Sequence, residues 1–134
     1  MRVKDLDDKV HELKLTGHIV DGSETKPRSE LHLQARKLIR ERFPLFLLVE
    51  EISIPIRSSE YLYLDFFLPQ NKICIEVHGK QHFEFVPHFH RNIMGFKLQE
   101  KRDREKREWL ELNNIKLIEF NYNEDIEEWK NKIK

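Results

Sequence analysis

The chain has 134 residues, long enough for one domain with a substantial core and short for two. Its 24 Lys and Arg match 24 Asp and Glu, so net charge gives no prior for nucleic acid and any binding face has to come from local clustering. One cysteine excludes an internal disulfide and a cysteine-based zinc module, and the apolar runs are only strand-length, so a soluble, intracellular, cytoplasmic protein with no membrane partner is expected.

Residues 1–28 form an N-terminal arm and linker without a motif. Val10, Leu13, Leu15, Ile19 and Val20 around Gly17 suit a short hairpin, and Asp21 to Pro27 reads as a turn-rich linker. The plain expectation is an edge hairpin packed on the domain; the sharper one is a DNA-contacting arm using Arg2, Lys4 and His18. Ser29 is the predicted N-cap of a helix reaching about Phe43, with Leu31, Ala35, Leu38 and Ile39 at helical spacing and Pro44 as its stop. His32, Arg36 and Arg40 make a second stripe, which suits either a solvated face or contact with a phosphate backbone. Glu30 falls in the first turn, where negative charge favours the helix dipole.

Leu45 to Ile54 reads as a strand with Glu50 and Glu51 near its exposed end, and Pro55 to Glu60 as the turn that follows. Then comes the central pair. Leu62, Leu64, Phe66 and Leu68 alternate with Tyr61, Tyr63, Asp65 and Phe67; after Pro69-Gln70-Asn71-Lys72, Ile73, Ile75 and Val77 alternate with Cys74, Glu76 and His78. A two-residue loop at Gln70-Asn71 or a four-residue loop at Pro69 to Lys72 gives one register, with Leu68 opposite Ile73, Phe67 opposite Cys74, Asp65 opposite Glu76 and Tyr63 opposite His78. Cross-strand Cβ atoms lie roughly 4.5–5.5 Å apart, and like charges there destabilise a sheet. A shared proton or a divalent cation would offset the repulsion. Two hard oxygen ligands suit Mg2+ or Mn2+, and His78, Lys80 and His82 lie just beyond, a combination fitted to phosphodiester chemistry. Gly79 is expected to take positive φ in a turn that presents Lys80 and His82 to the acids.

Phe83 to Phe89 is too aromatic for an idle loop and reads equally as packing over the sheet edge or as a surface for stacking on bases. His78, His82, His88 and His90 with Cys74 follow no zinc-module spacing, which disfavours a structural zinc; Cys74 reads as a small buried apolar residue. A long helix from about Asn92 to Asn114 carries the basic residues Lys97, Lys101, Arg102, Arg104, Lys106 and Arg107, with Arg91 just before it. These outnumber the acids Glu100, Asp103, Glu105 and Glu108, making a modest patch for backbone contacts. Asp103 and Lys106 are one turn apart and read as an intrahelical ion pair. Trp109, Leu110, Leu112 and Trp129 are core candidates. A strand Ile115 to Asn121 and a helix Asp125 to Ile133 close the chain, and the crossover through the long helix makes that strand parallel to its neighbour. The predicted fold is α+β: a mixed sheet of about four strands, an antiparallel meander plus one parallel strand, flanked by helices.

Three segments, Leu64-Asp65-Phe66-Phe67-Leu68-Pro69, Ile75-Glu76-Val77-His78-Gly79-Lys80-Gln81-His82, and Arg102-Asp103 with Lys106 and Leu110, together resemble the PD-(D/E)XK nuclease superfamily. Within it they resemble the very short patch repair endonuclease branch, and especially the phage homing-endonuclease relatives described by an E-D-x-H-D set. The resemblance spans about Ser29 to Trp129, with 29–134 as the nuclease-like domain. It implies Asp65, Glu76 and the Val77 carbonyl as ligands of Mg2+ or Mn2+, Glu30 from the first helix as a further acid at the metal site, and Asp103 as the acid that completes the set. Where the superfamily's usual motif ends in lysine this chain has His78, and the resemblance gives the proton-handling role to His82.

The expected function is therefore a metal-dependent DNA endonuclease, of nicking, double-strand or homing type, with Lys80 or His78 steadying the phosphate. DNA contacts are expected from Lys80, Arg91, Lys97, Lys101, Arg102, Arg104, His32 and Arg36. Sequence-specific cutting by so small a domain calls for a homodimer or a separate DNA-recognition domain. The rival expectation is a catalytically inactive, nuclease-like DNA- or protein-binding module.

Overall fold

A computed structural model describes residues 1–15, 18–19 and 29–134. The strands are β1 (Arg2–Lys4), β2 (Val10–Glu12), β3 (His18–Ile19), β4 (Val49–Arg57), β5 (Glu60–Leu68), β6 (Ile73–His78) and β7 (Lys116–Asn121), and the helices are α1 (Glu30–Arg42), α2 (Pro87–His90), α3 (Ile93–Leu112) and α4 (Ile126–Lys132). β1 and β2 form a small hairpin; the main sheet runs β3-β4-β5-β6-β7, antiparallel except for the parallel pair β6–β7. This is the expected α+β arrangement of four long strands, with the two-residue β3 added at one edge.

Two apolar layers cover the two faces of the sheet. On one, Ala35, Leu38 and Ile39 of α1 and Trp129 of α4 pack on Phe66, Leu68, Ile75 and Phe120. Trp129 stacks on Phe120 at 4.7 Å, and its Nε1 donates to the Asn121 carbonyl at 3.1 Å. On the other face, Trp109 and Leu110 of α3 pack with Ile52, Ile54, Leu64, Phe67 and Cys74, and the N-terminal hairpin adds Val3 and Leu13. Leu6 N–H donates to the Ile56 carbonyl and Lys4 N–H to Asn113 Oδ1, so the arm is tied to the domain by its backbone.

The sequence signals hold at most boundaries. Ser29 accepts from His32 N–H as the N-cap of α1, Asn92 accepts from Gly95 N–H at α3, and Asp125 accepts from Glu128 N–H at α4. Four positions differ from expectation. The N-terminal hairpin joins β1 to β2, and the expected turn at Gly17 and the 21–27 linker lie outside the described residues. β4 begins at Val49 and runs through Pro55 to Arg57. Proline reads as a break because it lacks an N–H, yet among the described residues β3 pairs β4 at Val49 and Glu50 and no outer strand pairs at Pro55 to ask for that donor. Gly79 is extended, with φ −80°, and a short 3-10 turn over Lys80–His82 redirects the chain. Leu112 lies at the end of α3 and is 42% exposed.

β5 and β6 pair as expected through Phe66–Ile75, Phe67–Cys74 and Leu68–Ile73, joined by the four-residue loop, and the ladder then stops. Tyr63 and His78 are not paired. One strand over, Glu51 has φ 52°, and β4 and β5 both change parity there. Val49 and Phe67 face α3, Glu50 and Phe66 turn to the α1 side, and Ile52 and Leu64 face α3 again. The strands reverse their inward sides at the position of Asp65.

Candidate active site

Where the β5–β6 ladder ends, carboxylates replace its hydrogen bonds. Asp65 N–H donates to Glu76 Oε2 at 2.7 Å, and Val77 N–H donates to Asp65 Oδ2 at 2.9 Å. The two acids are therefore held against each other's strands, as the register implied. Adjacent residues of a strand aim their backbone groups to opposite sides. The His78 carbonyl accepts from Tyr122 N–H on the β7 side, so the Val77 carbonyl lies on the Asp65 side.

Extending the registers places Glu51 of β4 opposite Asp65, and β6–β7 pairing places Glu119 beside Glu76. Four adjacent strands thus carry a row of carboxylates, Glu51, Asp65, Glu76 and Glu119, and α3 crosses it. Lys106 Nζ donates to Glu76 Oε1 at 3.0 Å, and Arg107 donates to Glu119 Oε1 at 2.9 and 3.1 Å. Asp103, one turn earlier, accepts from His82 Nδ1 at 2.8 Å and from Gln99 Nε2 at 3.1 Å. The expected Asp103–Lys106 pair is absent: each side chain is drawn to the sheet instead, Asp103 to His82 and Lys106 to Glu76.

The electrostatics follow from burial. Glu76 is 4% exposed, and burial together with the neighbouring Asp65 charge pushes its carboxyl up to about 8, against the pull of Lys106. Burial works against the Lys106 ammonium, but Glu76 and Asp65 outweigh it and hold the pKa above its usual value. Burial likewise disfavours the Asp103 carboxylate, and the His82 hydrogen bond more than compensates, lowering its pKa. His78 is held below its usual range by burial and then by His82, whose ring centroid is 4.5 Å away. His78 Nε2 lies 3.2 Å from Glu119 Oε1.

A cleft of about 620 Å³ opens on this row, lined by Glu51, Tyr61, Leu62, Tyr63, Asp65, Gln99, Arg102 and Lys106. Of the expected DNA contacts, Arg102 stands at this opening. Lys97 and Arg104 are exposed without an ion-pair partner among the described residues, Lys101 pairs with Glu105 at 3.7 Å, and Arg91 is exposed at the end of α2. Lys80 is turned to Glu84 at 3.1 Å rather than to the acids, because the 3-10 turn carries it outward. Phe83 is exposed beside Tyr122 at 5.8 Å and His78 at 6.2 Å, a packing contact that leaves one ring face open.

Three expected residues stand elsewhere. Glu30 is exposed on α1, which packs on the opposite face of the sheet, and has no hydrogen bond or ion pair with Asp65 or Glu76 among the described residues. His32 and Arg36 are not a solvated stripe: both turn inward to the fully buried Glu50, His32 Nε2 at 2.5 Å and Arg36 Nε at 2.6 Å, and His32 stacks on Phe66. A buried carboxylate demands such partners, and they hold it down to about 2 despite the cost of burial. Glu119 and Gln99 were not singled out from sequence, and Lys106 and Glu51 were read as a helix ion-pair partner and an exposed strand end rather than as members of the site. Lys106 and Gln99 had one signal, helical spacing from Asp103, but which sheet residue they meet depends on how α3 crosses.

The architecture defines an α+β domain with a mixed sheet and an acidic cleft under its long crossover helix. The chain is similar to the uncharacterized protein 307L of Invertebrate iridescent virus 6, 43% identical over 61 residues, or 46% of this chain and 31% of that protein. It is also similar to the uncharacterized protein 033L of Invertebrate iridescent virus 3, 39% identical over 68 residues, or 51% of this chain and 34% of that protein. The matches thus cover about a third of the length of these relatives. No family model matches the chain, and no solved structure matches it.

Proposed function

We propose that this domain is a metal-dependent DNA endonuclease of the PD-(D/E)XK type, hydrolysing phosphodiester bonds in the cleft beside Asp65. The observation that carries the reading is the broken β5–β6 ladder, where Asp65 is bonded to Glu76 and to the Val77 N–H and itself lines a solvent-open cleft.

Mg2+ or Mn2+ suits this donor set, since Asp65 and the Val77 carbonyl are hard oxygens on one side of the strand pair. Glu76 joins them only by releasing Lys106 or the Asp65 N–H, which now occupy its two oxygens. Such an ion supplies Lewis acidity to a phosphoryl oxygen and a more acidic water. The chain's own residues do the rest. Asp103 holds His82 through Nδ1, which leaves Nε2 to take a proton from water or return one to the leaving oxygen. Lys106 keeps a positive charge within the row, and Arg102 at the cleft mouth suits a phosphate of the bound strand.

Nicking of supercoiled plasmid in Mg2+ tests this. Asp65→Ala is expected to lose activity while keeping its far-ultraviolet circular dichroism, and unchanged nicking by a folded Asp65→Ala protein would defeat the assignment. One observation favours a second reading, a nuclease-like module that binds DNA without cutting: Lys106 occupies Glu76 Oε1, an oxygen that a cation would need. Retardation of DNA in chelator, with no cleavage in Mg2+ or Mn2+, would select it.

A further inference from the structure

We propose that His78, His82 and Asp103 form a second metal site, distinct from the oxygen donors at Asp65 and selective for a borderline transition ion such as Zn2+ or Co2+. One nitrogen of each imidazole and one oxygen of Asp103 all lie within 4.8 Å of one another. Metal–nitrogen bonds of about 2.0–2.1 Å at tetrahedral angles place donors roughly 3.4 Å apart, so closing the set asks the widest pair to approach by up to roughly 1.5 Å.

The chemistry of the surroundings is that of a ligand shell rather than a packed histidine pair. His78 is 5% exposed, and its Nδ1 is buried with no hydrogen-bond partner among the described residues, while its Nε2 faces Glu119. A proton on Nε2 donated to Glu119 leaves the Nδ1 lone pair bare, the state in which imidazole ligates a metal. Glu119 is fixed by Arg107, and Asp103 by Gln99, so both carboxylates are anchored from α3. A carboxylate behind a histidine fixes tautomer and ring direction and strengthens the nitrogen as a donor. Two nitrogens and one carboxylate suit a borderline ion over Mg2+, which prefers oxygen and water. His88 and Cys74 take no part: His88 is exposed and Cys74 lies in the core of the sheet.

The inference does not rest on the nuclease reading, because it is tested by binding without DNA. Co2+ added to the full chain is expected to bind one equivalent with visible d–d absorption, undisplaced by a large excess of Mg2+. Asp65→Ala keeps the spectrum, whereas His82→Ala and Asp103→Asn each weaken binding at least tenfold. His78→Ala removes a buried ring, so the half-buried variant His82→Ala and the wild-type spectrum carry the test if His78→Ala does not fold. Absence of a Co2+ spectrum in the wild-type protein overturns the proposal. So does a spectrum left intact by His82→Ala and Asp103→Asn, or one lost in folded Asp65→Ala. Nicking in Mg2+ is tested separately through Asp65→Ala, which leaves these three ligands in place, so the Co2+ result and the nuclease reading can fail independently.

Discussion

Glu76 stores a proton that an ordinary glutamate would have lost. Its carboxyl ionises near 4.5 in the unfolded chain and at about 8 in the fold. The unfolded state therefore sheds this proton first as pH rises. The stability the group contributes is fully present below about 4.5 and is lost as pH passes through 8. The Asp65 charge is the second cause of that shift after burial. Asp65→Asn, which still offers an oxygen to Val77 N–H, should flatten the fall in stability between pH 5 and pH 9, as urea denaturation would measure. His78, shifted the other way, acts in a separate window: its contribution is present above its usual pKa and lost as pH falls. The Asp65–Glu76 neighbourhood was legible from sequence because strict alternation on both sides of a short loop leaves one register. Lys106 was not, since its one-turn spacing from Asp103 describes a solvated pair as well as two side chains reaching in parallel to a sheet.

At the scale of elements, α1 departs from the role expected of it. The α1 stripe of His32 and Arg36 serves a buried acid, so its loss should be felt in folding. Glu50→Ala leaves two buried bases without their shared carboxylate and is expected to cost about 3–5 kcal/mol in chemical denaturation. A substitution at Arg36 should likewise lower stability before it changes the salt dependence of DNA binding. α4 depends on one ring. Trp129, 2% exposed and stacked on Phe120, closes the sheet beside β7. Trp129→Ala should cost about 3–5 kcal/mol and lower the melting temperature without changing the ion dependence of any activity. β4 shows where alternation misleads. Glu50 and Glu51 read as the wet end of a strand, whereas one is buried on the α1 face and the other lines the cleft, because the backbone flips at Glu51. A period-two reading assumes unbroken parity, and the positive φ that breaks it falls on a residue type that does not advertise it.

For the molecule as a whole, equal numbers of acids and bases hide a strong internal arrangement: the acids line the sheet and α3 brings bases across them. The sheet order and its one parallel pair were legible because each strand is bounded by turn chemistry and the connection through a 20-residue helix forces a crossover. That the arm packs on the domain as a hairpin was legible, but its pairing was not, because β1 and β2 are three residues each and are held by contacts with Ile56 and Asn113 far along the chain.

Because Lys106 reaches Glu76, the cleft carries its own counterion, so folding and ion loading are separate events. The wild-type protein should unfold cooperatively in chelator, and Mg2+ at neutral pH should raise its melting temperature only by the increment that ion binding adds. Lys106→Met strips out the resident charge and should give a protein that melts lower in chelator and recovers when Mg2+ or Mn2+ is added, as differential scanning fluorimetry would show. On the proposed reading, such a domain folds around its own counterion and would take up a metal as a reagent rather than as a strut.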